Sequence, residues 1–127
     1  MFLVILKMYL IGLVVGYILE FFYRSIKKRR IILPLFLNTQ IYAFTGFFLP
    51  IIFYSHVSLF FKLIIIIILP TLIEFITGYL YKKVYKTQLW DYSKESYNFM
   101  GIICLKFSFY WFILTVITYY LILPLIL

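Results

Sequence analysis

The chain has 127 residues, of which 66% are hydrophobic, 24% aromatic and only 13% charged, and its mean hydropathy is +1.10. A soluble domain of this size is nearer half apolar and has no interior large enough to hide so much apolar surface, so the solvent for most of it is lipid. Twelve Lys and Arg stand against four acids, a net charge of +8; they cluster beside the ends of apolar runs, where anionic headgroups attract them, and no nucleic-acid-binding pattern accompanies them.

Cysteine and histidine are equally restrictive. Cys104 and His56 are the only residues of their kinds, so no internal disulfide and no metal site built on thiolates or His pairs is expected. No cofactor is implied. The opening Met1-Phe2-Leu3-Val4-Ile5-Leu6 has no basic flank and no small-x-small cleavage site follows it, so the first run is read as a retained span.

The first apolar run, 2–23, is interrupted only by Lys7 and Glu20. It is long enough to cross about 30 Å of hydrocarbon as a helix. Gly12-Leu13-Val14-Val15-Gly16 is a small-xxx-small pattern, which lets two helix backbones approach closely. Glu20 and Arg24 are four residues apart and share a helix face, so they can pair. Residues 24–30 form a basic connector with five positive charges and no acid.

Residues 31–39 are read as a short interfacial helix or re-entrant approach, and 40–56 as the second span. A straight helix from Ile31 is the alternative; it would bury Asn38 and Gln40 near mid-membrane, which is costly unless they are paired. A turn at 55–58 precedes the third span, 59–81, in which Pro70 should kink the helix or be covered by neighbours. A second polar connector, 82–101, holds Lys82, Lys83, Lys86 and Lys94 with Asp91 and Glu95. Asn98 is a candidate cap for the fourth span, 102–123, which Pro124 is expected to end. The fold class is therefore all-α: a single transmembrane domain, 1–127, with four membrane-spanning helices. Positive-inside bias places the two basic connectors in the cytoplasm and both ends of the sequence outside, in a multi-pass protein of the cell membrane.

Ionisable groups within the spans are the first functional candidates, because an uncompensated charge at the helix centre costs about 2.5–3.5 kcal/mol on insertion scales. Lys7 stands near the start of its run and Lys62 can snorkel to the outer edge, which leaves Glu20, Glu74 and Lys106. Glu74 lies eight residues before Lys82, about 12 Å along a helix, so it must be protonated or paired with a group on another helix; by depth, Lys106 and Arg24 are the nearest cations. Glu20, Asn38, Gln40, Glu74, Thr77, Asp91, Asn98, Lys106 and Ser108 all fall in the cytoplasmic half under this orientation, which suggests a polar cluster opening to that side. Trp90, Asp91, Tyr92 and Ser93 read either as an interfacial cap or as a substrate-contact loop. No G-x-x-x-x-G-K-[ST], G-x-S-x-G, H-E-x-x-H or CxxC is present, so no P-loop and no nucleophile elbow supplies chemistry.

Several of these residues have the spacing of a known family. Glu74-Phe75-Ile76-Thr77-Gly78, Leu89-Trp90-Asp91-Tyr92-Ser93, Asn98, Gly101 and Ile103-Cys104-Leu105 with Ser108 and Trp111 resemble the putative ABC-transporter type IV, or CmpB-like, membrane family. Glu20 with Tyr23-Arg24, and Asn38 with Ile41-Tyr42, are similar more weakly. Ile102 stands where the family usually has arginine, and Gln40 and Ala43 where it has proline and glycine. The resemblance implies a permease of the bacterial inner membrane, a transport-related subunit; four spans are few for a complete pathway, so further copies of the chain or a separate ATPase are expected with it, and the enzyme question stays open. The rivals are a membrane-embedded enzyme on a lipid or isoprenoid substrate, with Glu74 and Asp91 as acid–base groups, and a non-catalytic assembly subunit.

Overall fold

A computed structural model describes all 127 residues. It is all-α apart from one short hairpin: α1 (Phe2–Lys28), α2 (Phe36–Tyr54), α3 (Leu59–Tyr85), β1 (Asn98–Phe99), β2 (Ile103–Cys104), α4 (Leu105–Ile117), a π-helical turn (Thr118–Ile122) and α5 (Leu123–Ile126). Four helices are long and apolar enough to cross a membrane: α1, α2, α3 and the continuous run Leu105–Ile126. The chain forms two compact units, Met1–His56 with Ile122–Leu127, and Val57–Leu121.

In the first unit α1 runs on past the apolar stretch, through Lys27 and Lys28 in its last turn, where cations complement the helix dipole. It stops at Arg29, which is left-handed with φ 54°. Residues 31–35 then form no helix, contrary to the interfacial helix expected over 31–39. Pro34 disfavours helical backbone in the residue before it, and the Ser25 hydroxyl takes the Ile32 N–H at 3.1 Å, fastening the extended segment to α1. Helix α2 begins at Phe36, so Asn38 and Gln40 lie in its first turns.

Glycine brings α1 and α2 together. A Cβ on Gly46 would run into the Met8 carbonyl oxygen, and one on Gly12 would lie 3.0 Å from Ala43 Cα. Backbone meets backbone here, which is what the small-xxx-small pattern permits. Met8, Ala43 and Leu49 are buried at this seam. The hydroxyls of Thr39 and Thr45 are satisfied by the carbonyls of Phe36 and Ile41, each at 2.7 Å, as a dry setting requires.

In the second unit Ser58 caps α3 by accepting the Phe61 N–H at 3.4 Å. Pro70 sits mid-helix and buried. It cannot donate to the carbonyl of Ile66 four residues back, and both residues are enclosed. Helix α3 extends to Tyr85, beyond the expected end of the span, and α4 starts at Leu105 rather than 102. Residues 102–104 instead form the second arm of the hairpin, paired Asn98↔Cys104 and Phe99↔Ile103. Pro124 does not end the last span. It occupies the first turn of α5, where its missing N–H is tolerated, and the π turn before it carries the helix across.

Candidate functional site

Glu74 is the centre of the second unit. It is 4% exposed on α3. Its Oε2 accepts hydrogen bonds from the Tyr92 hydroxyl and from the Trp111 indole N–H, each at 3.2 Å. One donor comes from the loop after α3 and the other from α4. Both are neutral, so they give the carboxyl hydrogen bonds without a counter-charge.

Tyr92 is itself held by packing: its ring stacks on Phe107 at 4.8 Å, with planes 11° apart. One turn along α3 from Glu74, Thr71 donates to the Ser108 hydroxyl at 3.1 Å. Thr71 and Glu74, and Ser108 and Trp111, are each three residues apart, so each pair shares one helix face. The result is a polar seam between α3 and α4. Thr77 is half-buried on the next turn and makes no hydrogen bond to this carboxyl. Lys106 is exposed, with its ammonium 5.5 Å from the Phe107 ring centroid. Sequence spacing points to a cation as the partner of Glu74, whereas the two bonds to Oε2 use aromatic donors.

The loop that delivers Tyr92 is locked by its own side chains. Trp90 lies over Gly78, where a Cβ would come 2.9 Å from its ring and 2.6 Å from Ile102 Cγ2. Its indole N–H donates to the Ile102 carbonyl at 2.8 Å. Asp91 Oδ1 accepts the Ser93 N–H at 2.9 Å. Asn98 does not cap α4, whose N-cap position is Cys104 with no side-chain cap. It spans the hairpin turn instead: Nδ2 donates to the carbonyls of Ser93 and Glu95, and Oδ1 accepts the Gly101 N–H at 3.1 Å. Gly101 has φ 68°, and a Cβ there would lie 3.0 Å from Asp91 Oδ1; only glycine suits both conditions.

The hydrogen bond from the Ser93 backbone amide, with that of its hydroxyl, holds the Asp91 carboxyl below its ordinary value, and Lys82 and Lys94 act in the same direction. A carboxylate depressed in the folded state contributes stability at pH above its unfolded value, and loses it as pH falls through the folded one. Asp91→Asn should therefore unfold at lower temperature than wild type near neutrality, with the gap closing as pH drops below about 4. Thermal unfolding in detergent at a series of pH values measures this; a constant gap would remove the ionic component.

A second polar group belongs to the first unit. Glu20 pairs with Arg24 at 3.0 Å on α1, as their spacing implied, and its other oxygen accepts the Tyr42 hydroxyl of α2 at 3.0 Å. Asn38 is 5% exposed, and its Oδ1 meets no donor. The Tyr9 hydroxyl donates to Gln40. Glu20, Arg24 and Asn38 thus belong to one unit, and Glu74, Thr77, Trp90, Asp91, Tyr92, Ser93, Asn98, Lys106 and Ser108 to the other. Thr71 and Tyr42 were not among the candidates read from the sequence. Thr71 could have been found from its place one turn before Glu74.

The family model described as Putative ABC-transporter type IV matches residues 7–127. Neither curated proteins nor solved structures give a match.

Proposed function

We propose, on the premise that this chain belongs to the Putative ABC-transporter type IV family, that it is the membrane-embedded subunit of a transport system and acts with partner chains. The observation that carries this reading is Glu74, a carboxyl enclosed in a membrane-length helix and held by donors from a loop and from a second helix. An enclosed ionisable group with built partners is the usual mark of a pathway or coupling site in a membrane protein. The chain contains no P-loop sequence, so ATP hydrolysis would fall to a separate ATPase; further copies of this chain would complete a pathway that four helices are few to enclose. The charge difference between the connectors at 24–30 and 82–101 and the turn at 55–58 supports a cytoplasmic position for the connectors, in the cell membrane, with the polar centre opening to that side.

Mild-detergent purification with the chain as bait tests this. An ATPase should co-purify, and hydrolysis by the complex should fall about tenfold in Glu74→Gln, a loss of about 1.4 kcal/mol, while insertion stays at the wild-type level. Turnover of a lipid or isoprenoid by the isolated chain, abolished by the same substitution, would instead make it an enzyme. No ATPase, no turnover and a wild-type phenotype for Glu74→Gln would leave an assembly subunit.

A further inference from the structure

The hairpin carries apolar side chains that its own fold leaves uncovered. Phe99 is 58% exposed and Met100 47%, and Tyr97 beside them is 84% exposed. These residues do not stand clear of the spans. The Phe99 ring lies 5.7 Å from that of Phe75 on α3, and Phe75 stacks on Tyr79 at 5.8 Å. Phe75 precedes Lys82, the first lysine at the end of α3, by seven residues, about 10 Å along the axis. The tip of the hairpin is therefore at the depth of the apolar part of α3. Leu72, Ile76 and Tyr79, which share a face of α3 with Phe75, are exposed as well.

Non-helical backbone is excluded from lipid unless its polar groups are satisfied within the protein. Six carbonyls of this loop have such partners. The carbonyls of Ser93 and Glu95 take Asn98 Nδ2, that of Phe99 takes the Ile102 N–H, and that of Met100 takes Gln88 Nε2. The carbonyl of Gly101 takes the Tyr92 N–H, and that of Ile102 takes the Trp90 indole. Three side chains, those of Asn98, Gln88 and Trp90, thus occupy four of these carbonyls, as an apolar setting requires. Lys82, Lys83, Lys86 and Lys94 are all exposed around the same loop.

We propose that residues 97–104 form a lipid-inserted wedge. Phe99 and Met100 sit at the boundary between headgroups and acyl chains, in the leaflet at the C-terminal end of α3. Lys82, Lys83, Lys86 and Lys94 lie above them against headgroup phosphates. The occupant of this surface is phospholipid, and Tyr97 lies at the headgroup level where amphipathic rings collect. This reading depends on the chain spanning a membrane, not on a transport role, so it stands or falls separately from the function proposed above.

The test uses the full chain reconstituted in phospholipid vesicles. Met100→Cys and Ser96→Cys are labelled in turn with an environment-sensitive fluorophore. Wild type, whose one cysteine is buried, supplies the blank. The label at 100 should emit further to the blue than that at 96. It should be quenched several-fold more by a nitroxide carried high on the acyl chain, and several-fold less by aqueous iodide. Phe99→Trp read with brominated lipid checks the tip without a label, wild type supplying the signal of Trp90 and Trp111 to be subtracted; quenching no greater than in wild type would count against insertion. Equal iodide quenching at 96 and 100 would put the hairpin in water and overturn the proposal. Shielding of 100 from both iodide and nitroxide would overturn it too, by placing a protein surface over the tip.

Discussion

Gly46→Leu forces α1 and α2 apart and is expected to lower the unfolding temperature more than any other glycine substitution in the chain. The Cβ alone would meet the Met8 carbonyl oxygen, and a backbone atom cannot swing aside as the end of a side chain can. Overpacking a tight core costs about 1–3 kcal/mol, and this site belongs at the upper end because a whole helix must shift. Gly12→Leu should behave similarly, because the Tyr42 carbonyl oxygen and Ala43 Cα face it. Gly78→Ala is the contrast: its nearest neighbours are Ile102 Cγ2 and the Trp90 ring, which can give way, so a smaller loss is expected. Thermal unfolding of the three variants in one detergent ranks them. A Gly46→Leu protein that melts as high as wild type would show that the α1–α2 seam has slack to spare.

Glu74→Leu is expected to destabilise the second unit by about 2–6 kcal/mol, because the buried Trp111 indole and the half-buried Tyr92 hydroxyl lose this acceptor at about 1–3 kcal/mol each. Glu74→Gln keeps an acceptor oxygen in place and should lose less than about 1 kcal/mol. A rescue is expected as well. Adding Tyr92→Phe to Glu74→Leu removes one stranded donor, so the double variant should be more stable than Glu74→Leu alone. Protease cleavage in the 86–101 loop gives a second readout, since Tyr92 ties that loop to α3. If Tyr92→Phe lowers stability equally in both backgrounds, the two side chains do not act on each other and the cage is not what holds the loop.

The four spans could be read from run length, because about 20 consecutive apolar residues have few other uses. Features set by partners distant in sequence could not. The segment 31–35 is apolar enough to suggest a helix, yet Pro34 and the Ser25 hydroxyl keep it extended. Asn98 has the composition of a helix cap, but backbone groups of Ser93, Glu95 and Gly101 lie within its reach, and it bonds to those. Glu74 was legible as a group in need of company. That the company is Tyr92 and Trp111 was not, because Coulombic reasoning favours a cation, while an indole and a phenol can reach a deep carboxyl without a second desolvated charge. Trp111 entered only through the family resemblance, and on composition alone it would pass for one more lipid-facing ring.

The π-helical turn at Thr118–Ile122 holds one residue more than an α-helix would place in the same rise. Deleting a residue inside it would restore a regular helix and leave Leu123, now wholly buried, facing as it does. The same deletion at Ile113 would turn every later side chain of the helix by about 100° relative to those before it. The last span thus has one place where its length can vary without rotating the residues beyond it.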